Sequence, residues 1–188
     1  MIAAYARERF RPVVFVPLAI VVALAASAGH YALGRVALDA SFALLLLAEF
    51  RLWDDLTDRR GDAASHPGRV LVRAGSIVSC ILVCIALGVA NVVRSMAAQA
   101  MPVSLPVLLA LHIALALRYT LRRERTVAGD QLLLAKYPAF VVIVAGSRAL
   151  EATMSVSVAA LLIYGAASLY EAWHDPASPV AALLGGRS

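Results

Sequence analysis

The chain has 188 residues, of which 62% are hydrophobic and 15% charged, and a mean hydropathy of +0.81. Soluble domains are nearer half apolar and a quarter charged, so the composition argues against a water-soluble globule. The formal charge of +5 could suggest a nucleic-acid partner, but the basic residues stand at the ends of apolar blocks, where topology and lipid headgroups account for them, so no nucleic acid is expected.

At about 20 residues per bilayer crossing, the length allows about six spans and no sizeable soluble domain. The sequence therefore predicts one all-α integral membrane domain over residues 1–188, a polytopic transmembrane helix bundle. The first apolar block runs over about 13–29, after Arg7, Arg9 and Arg11. Ala26, Ser27 and Ala28 would suit signal-peptide cleavage, but the long apolar stretch and the spans that follow favour a retained helix. Further blocks cover about 36–53, 70–93, 103–118, 131–146 and 156–173. Pro102 and Pro106 stand near the start of the fourth, and Lys136 and Pro138 interrupt the fifth. Cys80 and Cys84, four apart, share one face of the third helix and so are not expected to form a structural disulfide.

Twelve arginines fall in the N-terminal tail and in the loops after the second and fourth blocks, against only Arg35, Arg94 and Arg148 in the alternate loops. The positive-inside rule then places the N-terminus and both basic loops in the cytoplasm and, with six spans, the C-terminus as well. A bacterial inner membrane is the expected location. Lys136 is the one lysine among the 17 basic residues, and arginine binds phosphate bidentately where lysine offers a point charge.

The most informative stretch follows the second block. Asp54, Asp55, Asp58 and Asp62 bring four of the 12 acidic residues into nine positions. On a helix they lie at roughly 0°, 100°, 40° and 80° around the axis, all on one face. Like charges packed so closely repel unless a cation sits among them, and Mg²⁺ binds through one or two carboxylates plus substrate phosphates. A solvated, mixed-charge loop neutralised by Arg59 and Arg60 is the plainer alternative.

Two further elements share the predicted cytoplasmic side. Tyr119, Arg122 and Arg123 end the fourth block: the arginines can clamp a diphosphate and the tyrosine ring can face a developing carbocation, or the group can be ordinary positive-inside topology with an interfacial tyrosine. Glu171 and Asp175, at i and i+4 after the sixth block, can share one ion. Glu49, one turn before the acidic stretch, either lines a cavity or snorkels, and His112 reads as a hydrogen-bonded packing residue. His66 and His174 fit no zinc spacing, and Asp130 and Lys136 can pair with each other or with headgroups.

The spacing Asp54-Asp55-x-x-Asp58-x-x-x-Asp62 resembles the first aspartate-rich motif of the UbiA superfamily of intramembrane prenyltransferases, Asn-Asp-x-x-Asp-x-x-x-Asp, which also follows a second transmembrane helix. His66-Pro67-Gly68-Arg69-Val70-Leu71 is similar to the Arg-Pro-Leu element just downstream, with Val70 in place of the proline. The segment from Tyr119 to Thr126 resembles the Tyr-x-x-x-Lys-Arg-x-Thr element, and Glu171-x-x-x-Asp175 a reduced form of the second acidic motif. The resemblance implies a Mg²⁺-dependent transfer of a prenyl group from a prenyl diphosphate to a lipophilic or aromatic acceptor, or intramolecular terpene cyclisation. It implies metal ligands at Asp54, Asp55, Asp58, Asp62, Glu171 and Asp175, diphosphate contacts from Arg69, Arg122 and Arg123, and catalytic roles for Asp58 and Tyr119. Family members have about nine helices, so the resemblance also implies that a second copy of the chain or a partner subunit closes the cavity, or that the protein is a minimal or inactive relative; membrane lipid is a further expected partner. Two other readings compete. One is a non-catalytic membrane scaffold or subunit that keeps a shortened form of the fold. The other is a CDP-alcohol phosphotransferase, which would need an Asp-x-x-x-Asp pair later in the same loop that this chain lacks.

Overall fold

The computed structural model describes residues 1–97, 101–121, 126–175 and 181, and among these the regular structure is entirely helical. Two compact units form, one from Met1–Ala23 with Ala32–Arg94, the other from Leu24–Tyr31 with Ser95–Ser188.

In the first unit, α1 (Ile2–Arg9) and α2 (Pro12–Ala26) meet at a bend of 71°. The bend has a local cause. Pro12 opens α2, where its missing N–H costs nothing, and disfavours helical backbone at Arg11 before it. Next, α3 (Leu33–Thr57) runs for 25 residues and buries Phe42, Ala43, Leu46, Leu47 and Phe50, a single stripe at helical spacing. It continues with little interruption into α4 (Arg59–Ser65): the Asp58 N–H bonds to the Asp54 carbonyl at 2.9 Å and the Asp62 N–H to the Asp58 carbonyl at 2.9 Å. Pro67 and Gly68 follow, then the short α5 (Val70–Arg73) and α6 (Val78–Ser95). The third apolar block was expected to be helical from about residue 70. Instead Val70–Arg73 forms its own turn and the backbone extends at Ala74, so the long helix begins at Val78. Arg59 holds the break by donating to the carbonyls of Leu71 (2.8 Å) and Ala74 (3.0 Å), the kind of orphan acceptors a helix end leaves.

In the second unit, α7 (Met101–Leu121) buries Ser104, Leu108, Leu111 and Leu115. Thr126 caps α8 (Val127–Leu134), accepting from the Gly129 N–H, and α9 (Lys136–Ala145) follows after a break at Ala135. The break falls where Pro138 has no N–H for the Leu134 carbonyl and its ring crowds that oxygen. Short α10 (Arg148–Glu151) leads to α11 (Thr153–His174), which packs on α9, as does α7. The Ser104 hydroxyl donates to the Ile143 carbonyl at 2.6 Å and that of Ser168 to Gln131 Oε1 at 3.1 Å.

Among the described residues, four helical segments are long and apolar enough to cross a membrane: α6, α7, α8 with α9, and α11. The bent pair α1 and α2 makes a fifth if it counts as one broken span. Only 17% of the apolar stretch of α6 and 11% of that of α11 is buried inside the protein, so most of their side-chain surface faces outward, as on a lipid-facing helix. The longest helix, α3, carries Arg35, Asp39, Glu49 and Arg51 along its apolar run. All four have polar partners, Arg51 through its pairing with Asp55. Asp39 pairs with Arg35, and Glu49 accepts a 2.6 Å bond from the fully buried Asn91 of α6.

Candidate functional site

The backbone hydrogen bonds at the end of α3 decide where its acids stand. Asp54, Asp58, Asp62 and His66 follow one another through i to i+4 bonds, which stacks the three carboxylate-bearing residues on successive turns of one side. Asp54, Asp58 and Asp62 are each half-buried. Asp62 is ion-paired with Arg69, so this arginine, expected to meet a diphosphate, holds a carboxylate.

Asp55 sits 100° round the helix and has a different environment. It is 5% exposed and lies beside a small apolar cluster of Tyr5, Leu52, Leu71 and Cys80. Both its oxygens are occupied. Arg9 grips it as a fork, Nη2 on Oδ1 at 2.7 Å and Nε on Oδ2 at 3.0 Å. The Tyr5 hydroxyl donates to Oδ2 at 2.9 Å, and Arg51 pairs with Oδ1 at 3.3 Å. Burial pushes the Asp55 carboxyl above its ordinary value, against the pull of Arg9 and Tyr5. Burial and the neighbouring Asp55 raise the Tyr5 phenol far above its own, which keeps it a hydrogen donor. Helix α1 is further tied down by Glu8, whose carboxylate accepts from the Val70 N–H at 3.0 Å at the start of α5.

This hub was not legible in the sequence. Tyr5 and Arg9 are one turn apart on α1, but nothing in a single chain connects them to a carboxylate 46 to 50 positions later. The fork spans α1 and α3, and only the folded contacts reveal it.

The other expected site residues that are described lie in the second unit. Tyr119 is half-buried in the last turns of α7. Arg122 and Arg123 lie outside the described residues. Glu171 and Asp175 are half-buried, with the Asp175 N–H bonded to the Glu171 carbonyl at 2.9 Å, and His174 beside them stacks on Tyr170 at 3.9 Å between ring centres. His112 Nδ1 lies 2.8 Å from the Leu108 carbonyl, in keeping with a packing role. Asp130 and Lys136 are both buried.

The donor set at the end of α3 suits a hard divalent cation in the mode that Mg²⁺ prefers, one or two carboxylates with substrate phosphates completing the shell. Asp54 and Asp58, one turn apart, fit that mode. Asp55 and Asp62, also expected to hold the ion, are ion-paired with arginines. Among the described residues no three His, Cys, Asp or Glu side chains are placed to hold a metal ion. Compared with known proteins, the chain matches no family model, no curated protein and no solved structure.

Proposed function

We propose that the chain is an intramembrane enzyme acting on a prenyl diphosphate, a prenyltransferase of the kind its motifs resemble, with Mg²⁺ as cofactor and a lipophilic acceptor. In this reading α3 is a further span, giving six in all, with the acidic end of α3 at the cytoplasmic face of a bacterial inner membrane. The observation that carries the reading is the stacking of Asp54, Asp58 and Asp62 from the last turn of a 25-residue helix into the short helix after it, with the apolar run immediately before them. A prenyl diphosphate has the same two-part chemistry, an apolar chain and a polyanionic head.

Asp54 and Asp58 would hold Mg²⁺ together with the diphosphate oxygens. The ion, when bound, neutralises charge building on the leaving pyrophosphate. The chain's own residues do the rest. Asp62 keeps Arg69 beside the carboxylates. Arg59 braces the loop that carries Arg69, through its bonds to Leu71 and Ala74. Glu8 fixes the start of α5.

The test is pyrophosphate release from a radiolabelled prenyl diphosphate by purified protein with Mg²⁺. Release should be lost in Asp58→Ala. No turnover by the native chain, together with unchanged diphosphate binding in Asp58→Ala, would sink the proposal. The occupation of Asp55 and Asp62 by arginines favours a second reading, a non-catalytic membrane subunit. That reading expects substitution of Asp58 to leave both binding and turnover measurements at background.

A further inference from the structure

Asp55 brings two arginines from separate elements to one point, Arg9 from α1 and Arg51 from α3. Two guanidinium groups share this one carboxylate, with Asp54 as the neighbouring negative charge. The donors are not used up. Arg9 spends Nε and Nη2 on Asp55, and its side chain keeps 21% of its surface exposed. Arg51 reaches Asp55 through Nη2, and its Nε is buried with no hydrogen-bond acceptor. A buried N–H without an acceptor is uncommon in folded proteins and marks a place where an acceptor belongs. Guanidinium groups held rigid with spare N–H edges can bind phosphoryl oxygens bidentately.

We infer that Arg9 and Arg51, held in place by Asp55, form a receptor for a phosphoryl head group, and that helix α1 belongs to the binding site. The ligand class is a diphosphate ester with an apolar tail, an assignment that rests on the function proposed above. Asp55 is then a positioning residue. It aims Arg9 through the fork and coordinates no metal. Tyr5 shares this role by donating to the oxygen that Arg9 Nε also uses.

Purified full-length protein in uncharged detergent, with radiolabelled inorganic pyrophosphate as probe and EDTA present, tests the inference, because an arginine receptor needs no metal. Native protein should bind saturably. Arg9→Gln and Arg51→Gln should each weaken binding about tenfold, and Arg9→Lys, which keeps the charge and loses the fork, should weaken it as well. Asp55→Asn separates positioning from bulk charge. Removing a negative charge would strengthen attraction for any anion, whereas release of Arg9 weakens binding, and weakening by several-fold is the expected result. Thermal melts of all four variants identify any that fail to fold, and Arg9→Lys, the mildest, keeps the test decisive.

Farnesyl diphosphate should displace the probe at lower concentration than phosphatidylglycerol in mixed micelles. The reverse order would assign the receptor to phospholipid head groups and overturn the diphosphate assignment. Tighter binding in Asp55→Asn, or no binding by native protein in EDTA, would overturn the receptor itself. Loss of Mg²⁺-dependent turnover with metal-free binding intact would count against the enzyme reading alone.

Discussion

The acidic ends of α3 and α11 share a sequence spacing and differ in almost everything else. Each carries carboxylates at i and i+4. At the end of α3 the acids continue into a second helix, and two of them are locked to arginines. One, Asp55, is buried at a junction of α1 and α3. At the end of α11, Glu171 and Asp175 stand at a helix terminus beside the exposed Trp173 and the stacked Tyr170 and His174. Spacing puts carboxylates on one face, but the elements packed around that face decide whether they hold an arginine.

Substitution at the two helix ends should separate their roles. Asp58→Ala should lower pyrophosphate release by about a hundredfold or more, the scale expected when charge stabilisation at the reacting group is removed. Glu171→Gln should cost less, because the proposed cation site is built from Asp54 and Asp58. Equal losses would mean that the two ends contribute alike. Stability should show the same contrast. Arg9→Ala strips the fork from a buried carboxylate and should cost about 2 kcal/mol in chemical denaturation, the scale of a charged hydrogen bond. Asp175→Asn, at a half-exposed helix end, should cost about 0.5 kcal/mol or less.

A smaller test lies in α6. An added Cβ at Gly88 would come within 2.9 Å of Glu49 Oε1, on the carboxylate that Asn91 holds. Gly88→Ala should therefore destabilise by about 1 kcal/mol, at the low end of overpacking costs because a side-chain tip can shift. A gain in stability would show that helix propensity outweighs the crowding. The smallest effect is in pH dependence. Because burial raises the Asp55 carboxyl in the folded state, the native protein holds that proton more tightly than the unfolded chain. Its contribution to stability is full below the ordinary carboxylate range, near pH 4, and is lost as pH rises through the raised value. Asp55→Asn should flatten that part of the profile, and an unchanged slope would assign it to another group.

Much of the fold was legible in local pattern. Hydropathy located α7 and α11 to within three residues at each end, because long apolar runs with charged flanks leave little freedom. The stacking of Asp54, Asp58 and Asp62 followed from helical period alone. Three features were not legible, each for a physical reason. The extended backbone at Ala74 depends on Arg59 reaching across a loop to two carbonyls. The Asp55 hub depends on a contact across 46 residues. Glu49, read as cavity-lining or snorkelling, is instead satisfied by Asn91 on a different helix, 42 positions away. Local periodicity carries no information about partners at that range.

The most direct test of the account is pyrophosphate release measured side by side, with Mg²⁺ and a radiolabelled prenyl diphosphate, for the native chain, Asp58→Ala and Glu171→Gln. The native chain should release pyrophosphate, Asp58→Ala should lose that release, and Glu171→Gln should keep more of it. Absence of release from the native chain, with diphosphate binding equal in all three proteins, would contradict it.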